Sequence, residues 1–205
     1  MKYRALTVAR EYGSGGAEIA DMVASSLGWR LVDKVLLAEI GSRAKVPAAH
    51  AAVLDERVDP WLHRITRRLW GRGGDGISAI APVELFDADA AAALAKQVIE
   101  EAYCVGNCVV VGRGAQCVLQ AKRDVFHVFV YARWADRERR ARDRVPPGAD
   151  VNELLHTMDE QRLEYVRRHY GENRLNPHLY DLMINSHNQC ERAAQLILLA
   201  MDAAG

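Results

Sequence analysis

The chain has 205 residues, half of them hydrophobic, and its 27 lysines and arginines balance 27 aspartates and glutamates. This length supports one hydrophobic core, so we expect a single domain over residues 1–205 that carries insertions. The balanced charge excludes a strong net field of the kind that draws proteins to nucleic acid or to an anionic membrane.

No segment of the sequence predicts secretion or membrane insertion. The first apolar stretch is short and ends at Arg10, and no later window approaches the length of a membrane span. We therefore expect a cytoplasmic protein.

Short apolar runs rich in β-branched and aromatic residues alternate with helical patterns. The runs lie at residues 4–9, 108–112, 125–132 and 180–186, and the stretch 27–33 adds a shorter one. Helical periodicity covers residues 14–27, 33–44, 83–104, 134–144, 151–169 and 189–203. Strands that are apolar throughout are typical of sheets buried on both faces. The order predicts an α/β fold with about five mostly parallel strands.

The segment from about residue 45 to 82 departs from this alternation. Within WLHRITRRLW, residues 61–70, the apolar side chains fall near one helical face: Trp61, Leu62, Ile65, Leu69 and Trp70. This pattern favours an amphipathic helix that packs on the core or on a partner subunit, as in a homodimer, over a helix that binds nucleic acid or a membrane. A glycine-rich linker follows at residues 71–82.

The cysteines and histidines do not predict a metal site. Cys104, Cys108 and Cys117 cluster without a second half of ligands, and Cys190 lies far along the chain. We expect plain thiols that are buried or partly buried at these positions. His127 lies within an apolar run, which favours a hydrogen-bonded core residue over a catalytic base.

The first predicted strand ends in the segment REYGSGGA, here called the glycine loop. Glycines let a backbone turn tightly and aim several N–H groups at phosphate oxygens, and the start of the next helix adds partial positive charge. Gly13, Ser14, Gly15 and Gly16 supply such a backbone. The usual phosphate loop ends in Gly-Lys-Ser/Thr, whereas this one has Gly16 and Ala17 at its last two places. Taken alone, the pattern also fits a plain turn between strand and helix.

Two further groups follow predicted strands, at the edge where parallel sheets bind ligands. Asp33 comes after the second strand, and Arg113 lies in GRGA after the third. The fork of an arginine suits bidentate binding of phosphate. The alternatives are that Asp33 caps the next helix and that Arg113 forms a salt bridge at the sheet edge.

Five segments, in order, resemble the cytidylate kinase-like family of P-loop proteins: AREYGSGGAEIA, LVDKVLL, VVVGRGA, VFVYARWADRERR and YDLMINS. The resemblance covers nearly the whole chain, and Arg-Glu-Tyr before GSGG is a fairly specific mark of that family. It implies a three-layer P-loop NTPase fold that uses ATP and Mg²⁺ and binds small-molecule nucleotides. It also implies a helical acceptor-side insertion at about residues 34–104 and a lid region at about residues 134–174.

Phosphoryl transfer needs positive charge around the transferred group, and this loop lacks the usual lysine. Arg10 opens the loop where the ordinary pattern has its first glycine, and it is the leading substitute. The alternative is that Arg10 pairs with Glu11 or Glu18. The sequence identifies no magnesium ligand.

The resemblance places arginines of the lid over the donor phosphates. Arg137 and Arg140 match the first lid helix, and Asp159 and Arg162 match a D-x-x-R pair in the second. VPPGAD between the two helices predicts a hinge. Without the resemblance, such charge-rich helices fit solvated faces with charge pairs.

The resemblance also implies an acceptor site. Arg113 corresponds to an arginine that approaches the acceptor monophosphate, and Asp33 to an acidic acceptor ligand or base. Asp181 aligns with an aspartate near the acceptor, although an edge or N-terminal strand residue is the alternative. This chain departs from cytidylate kinases at Gly114 and Asn185, where those enzymes have aspartates.

Three functions follow from these features. The first is an ATP-dependent kinase for nucleoside monophosphates, with CMP or dCMP favoured, which predicts saturable ATP and acceptor sites side by side. The second is a kinase for another small acceptor. The third is a nucleotide-binding regulatory module without catalysis, which predicts nucleotide binding without a product.

Overall fold

The computed structural model of the protein describes residues 3–33, 88–187 and 189–204. Several predictions lie wholly or mainly outside the described residues: the helix at 33–44, the aromatic helix at 61–70 and the linker at 71–82. The chain divides into two compact units, one formed by residues 1–33 with 96–205 and the other by residues 34–95. Of the second unit, only residues 88–95 are described, as the start of a helix.

The described strands form one parallel sheet. They are β1 (Ala5–Arg10), β2 (Arg30–Val32), β3 (Cys108–Val111), β4 (Val125–Tyr131) and β5 (Leu182–Asn185). Their order across the sheet is β2-β3-β1-β4-β5, and every neighbouring pair is parallel. The predicted α/β class with a mostly parallel sheet is confirmed.

Six α-helices are described: α1 (Gly16–Leu27), α2 (Ala88–Val105), α3 (Ala115–Val118), α4 (Trp134–Arg142), α5 (Val151–Tyr170) and α6 (Cys190–Ala203). A short 3-10 helix covers Pro177–Leu179. The α3 and 3-10 turns are absent from the sequence prediction because each is shorter than the window in which periodicity can be read. None of the described helices combines the length and apolar character that crossing a membrane requires.

The core lies on the central strands. β3 is buried along its whole length, and β1 and β4 are buried except at their last residues, as the uninterrupted apolar runs predict. On one face, α1 and α6 pack against alternate strand residues such as Leu6, Val8 and Val128. The other face contains the pair Thr7 and His127, whose side chains lie 2.7 Å apart between Oγ1 and Nδ1. The prediction that His127 is a hydrogen-bonded core residue is therefore confirmed.

The sheet order creates a crevice beside β1. The chain leaves β1 for β2 on one side and leaves β3 for β4 on the other side of β1. Ligands in such sheets bind outside the carboxyl ends of the strands at the point where the connections diverge. This point lies between the ends of β1 and β3, which carry the glycine loop and Arg113.

Candidate active site

The glycine loop joins β1 to α1 through two left-handed residues. Gly13 has a φ of 76° and Gly15 a φ of 79°, a region that side chains enter only with strain. A Cβ atom at Gly13 would lie 2.7 Å from the carbonyl oxygen of Arg137, and one at Gly15 would lie 2.6 Å from the Cys190 sulfur. The loop therefore needs glycine both for its turn and for its close neighbours.

The loop hydroxyl is engaged within the loop. Ser14 is buried, and its Oγ donates to the carbonyl oxygen of Glu11 at 2.9 Å. Ala17, at the usual place of a magnesium-binding hydroxyl, has no side-chain oxygen. In the part of the chain that the structure describes, no three His, Cys, Asp or Glu side chains group as a metal site. These residues alone do not assemble a set of magnesium ligands.

Arg10 lies between the glycine loop and the end of β3. Its aliphatic stem covers Gly16, where an added Cβ would lie 2.6 Å from the Arg10 Cβ. Its Nη1 occupies the space that a Cβ at Gly112 would need. Glycine at both positions makes room for this side chain, which consequently spans the crevice between β1 and β3.

Arg137 is fixed to the backbone of the loop. It is only 5% exposed, and its Nε donates to the Tyr12 carbonyl oxygen at 2.7 Å. One terminal nitrogen pairs with Asp159, and the other lies 3.5 Å from a Glu11 carboxylate oxygen. The family resemblance implies a place for Arg137 in a lid over the donor phosphates, whereas in the structure its guanidinium contacts the loop itself.

Asp159 joins α5 to the same loop. Its Oδ1 accepts a hydrogen bond from the Tyr12 N–H at 2.9 Å, while Oδ2 pairs with Arg137. Arg174 also approaches Asp159, with 3.5 Å between nitrogen and oxygen. One carboxylate thus contacts the loop, α4 and the segment after α5.

One buried arginine, Arg174, and one half-buried arginine, Arg162, donate to the same carbonyl group at the end of β1. Arg174 reaches the Arg10 carbonyl oxygen at 2.7 Å, and Arg162 reaches it at 3.2 Å. Burial, followed by the nearby Arg174 charge, lowers the pKa of Arg162 to about 10. Burial likewise lowers the pKa of Arg174. Both groups remain cations at neutral pH because arginine titrates far above it.

Arg140 lies on the other side of the loop. It donates to the Gly13 carbonyl oxygen and to the Ser186 hydroxyl, both at 3.3 Å, and it lies 3.4 Å from the Cys190 sulfur. Burial is the main cause that raises the pKa of Cys190, so this residue remains a thiol at neutral pH. All four cysteines are free; Cys108, Cys117 and Cys190 are buried or half-buried as predicted, whereas Cys104 is exposed.

Arg113 lies in a left-handed turn after β3, residues 112–114, here called the β3 turn. Gly112, Arg113 and Gly114 have φ values of 78°, 58° and 70°. The Tyr170 ring fills the space that a Cβ at Gly114 would need, and its hydroxyl donates to the Arg113 carbonyl oxygen at 3.1 Å. The Arg113 guanidinium lies 6.0 Å from the centre of the Tyr165 ring. A non-glycine residue in this conformation is strained, and such strain clusters at functional sites.

The structure separates Asp181 from the other predicted acceptor residues. Asp181 precedes β5, and its carboxylate accepts the His127 N–H at 2.7 Å. Asp33 follows β2, at the opposite edge of the sheet and at the opposite strand end. Asp181 is thus an N-terminal strand residue, as in the alternative reading, and we do not include it in the candidate site.

Of the residues predicted for the donor site, the structure places Arg10, the glycines, Arg137, Arg140 and Arg162 around one loop. Sequence reasoning did not assign roles to several residues that complete the site: Glu11, Tyr12, Tyr170 and Arg174. Arg-Glu-Tyr was noted as a family mark, and this could have drawn attention to Glu11 and Tyr12. No local signal identifies Arg174 or Tyr170, because their partners lie far away in the chain.

Solved structures share this fold. An uncharacterized protein from Eubacterium ventriosum aligns over 97% of this chain and 98% of its own, with a TM-score of 0.67 and 18% identity. Shikimate kinase from Acinetobacter baumannii aligns over 98% and 94%, with a TM-score of 0.55 and 14% identity. A gluconokinase from Sinorhizobium meliloti aligns over 98% and 92%, with a TM-score of 0.54 and 12% identity. At these identities the similarity shows the P-loop kinase fold alone.

Comparison of the sequence with protein families is more specific than the comparison with solved structures. No curated protein matches the chain. The model of the cytidylate kinase-like family matches residues 5–188, which include the glycine loop, the β3 turn and both helices of the predicted lid. The match spans most of the chain, and the protein therefore belongs to the cytidylate kinase-like family.

Proposed function

We propose that this protein transfers the terminal phosphoryl group of ATP to a small acceptor that binds beside Arg113 and Asp33. Membership of a cytidylate kinase-like family supports a small-molecule phosphotransferase. The finer assignment, to a nucleoside monophosphate such as CMP or dCMP, is our leading hypothesis for the acceptor.

The donor side is supported by the start of α1. The helix begins at Gly16, and the Ile19 N–H donates to the Gly15 carbonyl oxygen at 2.9 Å. The N–H groups of the residues before Ile19 have no partner within the helix and point out of its end. Among the described residues, no side chain caps this end. Such an end binds the phosphates of a nucleotide, because both its N–H groups and its dipole favour anions.

The position of Arg10 is the observation that carries the proposal. In the usual loop the first place is glycine and the seventh is lysine, whereas here the first is Arg10 and the seventh is Gly16. The Arg10 stem covers Gly16, so the two positions share one space. The positive charge of this loop thus lies at its first position instead of its seventh, and it still reaches the crevice between β1 and β3.

This arrangement suits phosphoryl transfer. An acceptor oxygen attacks the γ-phosphorus, the bond from that phosphorus to the bridging oxygen breaks, and ADP leaves with the bridging oxygen and its electron pair. Negative charge shifts onto the leaving oxygen as this bond breaks, and a nearby guanidinium stabilises it. Arg10 supplies that charge from the loop, and Arg113 holds an anionic acceptor on the β3 side. Magnesium, when bound with ATP, would supply further positive charge at the phosphates.

Gly114 supports a second candidate for the acceptor. Cytidylate kinases have an aspartate at this place, whereas here the Tyr170 ring fills the space beside Gly114. A Cβ at position 114 would overlap that ring, so the cytidylate kinase residue does not fit. This observation keeps a different phosphorylated or hydroxylated acceptor as the second candidate.

The test is transfer of labelled terminal phosphate from ATP with magnesium to a panel of nucleoside monophosphates, shikimate and gluconate. We expect Arg10→Gly to lower kcat/KM by about a hundredfold or more, as loss of one charge-stabilising donor does. Gly16→Lys alone should also fail, because its side chain collides with the Arg10 stem. The reciprocal variant Arg10→Gly with Gly16→Lys should recover part of the activity.

The matched control is Arg139→Ala, whose side chain is 56% exposed and, among the described residues, pairs with Asp136 of its own helix. It should retain wild-type transfer. If the reciprocal variant is no better than either single variant, Arg10 does not replace the lysine. If the wild-type protein binds ATP but transfers phosphate to no acceptor in the panel, the nucleoside monophosphate assignment is wrong.

A further inference from the structure

Four carbonyl groups of the glycine loop, those of residues 10–13, accept hydrogen bonds from side chains. The Glu11 carbonyl oxygen accepts from Ser14 within the loop. The others accept from arginines of the predicted lid and the segment after it: Arg10 from Arg162 and Arg174, Tyr12 from Arg137, and Gly13 from Arg140. Arginines that the family resemblance assigns to the donor phosphates thus contact the protein backbone.

These contacts determine where the loop N–H groups point. The C=O and the following N–H of a trans peptide lie in one plane and point in opposite directions. When Arg137 holds the Tyr12 carbonyl oxygen, the N–H of Gly13 must therefore point away from Arg137. Arg140 orients the Gly13 carbonyl in the same way. Arg137 and Arg140 each hold a loop carbonyl from the side opposite to the N–H group that follows it, whereas the Tyr12 N–H faces Asp159.

Asp159 connects these donors to each other. It accepts the Tyr12 N–H, pairs with Arg137 and lies within 3.5 Å of Arg174. Arg162 lies 3.9 Å from the same carboxylate. Three guanidinium groups therefore surround one carboxylate that is only 25% exposed, where their mutual repulsion is poorly screened.

We propose that Asp159 is the positioning residue of the glycine loop, and that α4 and α5 form a scaffold fixed to this loop through it. Asp159 holds Arg137 and Arg174 against the loop carbonyls and holds the Tyr12 N–H directly. This inference rests on the proposed function in one respect only, namely the identity of the ligand that the glycine loop binds. We therefore expect the contacts between the glycine loop and this scaffold to persist in the nucleotide-free protein.

The first experiment measures hydrogen exchange of nucleotide-free protein, comparing Asp159→Asn with Glu160→Gln. Glu160 is the next residue on α5 and is exposed, so it controls for loss of one carboxylate on the same helix. We expect Asp159→Asn to speed exchange in peptides covering residues 11–16 by roughly tenfold or more, because hydrogen bonds to a charged group are strong. Exchange in α6 should not change. Loop exchange equal to that of the wild type would overturn the proposal.

A second measurement separates positioning from general stability. In the transfer assay, Asp159→Asn should raise KM for ATP more than it lowers kcat, and Asp159→Glu should restore part of the binding because it keeps the charge. Equal loss in both substitutions, with unchanged loop exchange, contradicts a positioning role.

A third variant covers the case in which Asp159→Asn does not fold. Arg174→Lys keeps the positive charge but loses the fork that reaches both the Arg10 and Asp159 carbonyl oxygens. It should show the same faster exchange in residues 11–16, and wild-type exchange there would overturn the proposal. These exchange results do not depend on turnover. If the wild-type protein transfers no phosphoryl group, the proposed function is refuted. The positioning role of Asp159 is still tested, because the hydrogen-exchange measurements alone decide it.

Discussion

The glycine loop and the β3 turn lie side by side at the carboxyl edge of the sheet, yet they are held in different ways. Both follow a buried central strand, and both use left-handed glycines. Arginines donate to the carbonyl groups of the glycine loop. Tyr170, by contrast, holds the β3 turn, with its ring against Gly114 and its hydroxyl on the Arg113 carbonyl oxygen.

The two turns are stabilised by different kinds of interaction. Each turn must keep a functional backbone in an unfavourable conformation. The glycine loop is held by charge, through arginines that donate to its backbone carbonyl groups. The β3 turn is held by an aromatic ring, which leaves the fork of Arg113 as its charged group. Variants that remove one kind of support without the other can test this distinction.

The largest effect is expected for Arg137→Ala. This substitution removes a buried side chain. The Glu11 and Asp159 carboxylates both contact Arg137, and each would lose that partner. Removing one partner of a buried ion pair costs about 3 to 5 kcal/mol. Because both carboxylates are partly exposed, we expect the free energy of unfolding to fall by about 3 kcal/mol, the lower end of that range. Urea unfolding followed by circular dichroism measures this loss.

Arg139→Ala is the control for that experiment. Arg139 lies two residues away on α4, is 56% exposed and pairs with Asp136. An exposed pair of this kind contributes about 0 to 1 kcal/mol. If both substitutions lowered the free energy of unfolding equally, the arginines of α4 would be surface groups and the charged support of the loop would be refuted.

An effect of similar size is expected for Gly114→Ala. The added Cβ meets the Tyr170 ring and takes a left-handed φ of 70°, so strain and overpacking together cost about 2 to 4 kcal/mol. Gly171→Ala has the same φ but no neighbour within 4 Å, so it should cost only the strain of about 1 to 2 kcal/mol. In a Tyr170→Ala background, the cost of Gly114→Ala should fall to that of Gly171→Ala. An unchanged cost would show that Tyr170 does not support the turn.

The fold could be predicted closely because its signals are local. Apolar runs bounded by polar or glycine residues predicted all five described strands, and β4 differs from its prediction by one residue at its end. The strand after α1 was predicted at residues 27–33 but covers only Arg30–Val32. Leu27 still belongs to α1, and Gly28 ends that helix with a left-handed φ of 63°.

The site could be predicted only in part because its contacts are distant in the chain. Arg10 and the glycines lie in one short motif, so their common location followed from the sequence. Asp159 lies 147 residues from Tyr12, and Arg174 lies 164 residues from the carbonyl group that it contacts. No periodicity encodes such pairs. The resemblance therefore assigned the lid arginines to the donor phosphates and did not show that they bind the loop backbone.

The smallest effect on stability is expected for Arg113→Gly, and it distinguishes the two turns most sharply. Glycine relieves left-handed strain of about 1 to 2 kcal/mol but makes the unfolded chain more flexible by about 0.5 to 1 kcal/mol. Loss of the Tyr165 contact costs about 0.5 kcal/mol, so the free energy of unfolding should change by less than about 1 kcal/mol. The KM of the acceptor should nevertheless rise tenfold or more, while the KM of ATP stays at its wild-type value, because the proposed donor contacts lie on the glycine loop. A loss of stability above about 2 kcal/mol with an unchanged acceptor KM would instead make Arg113 a structural residue of the sheet edge. The β3 turn would then, like the glycine loop, depend on charge for its shape.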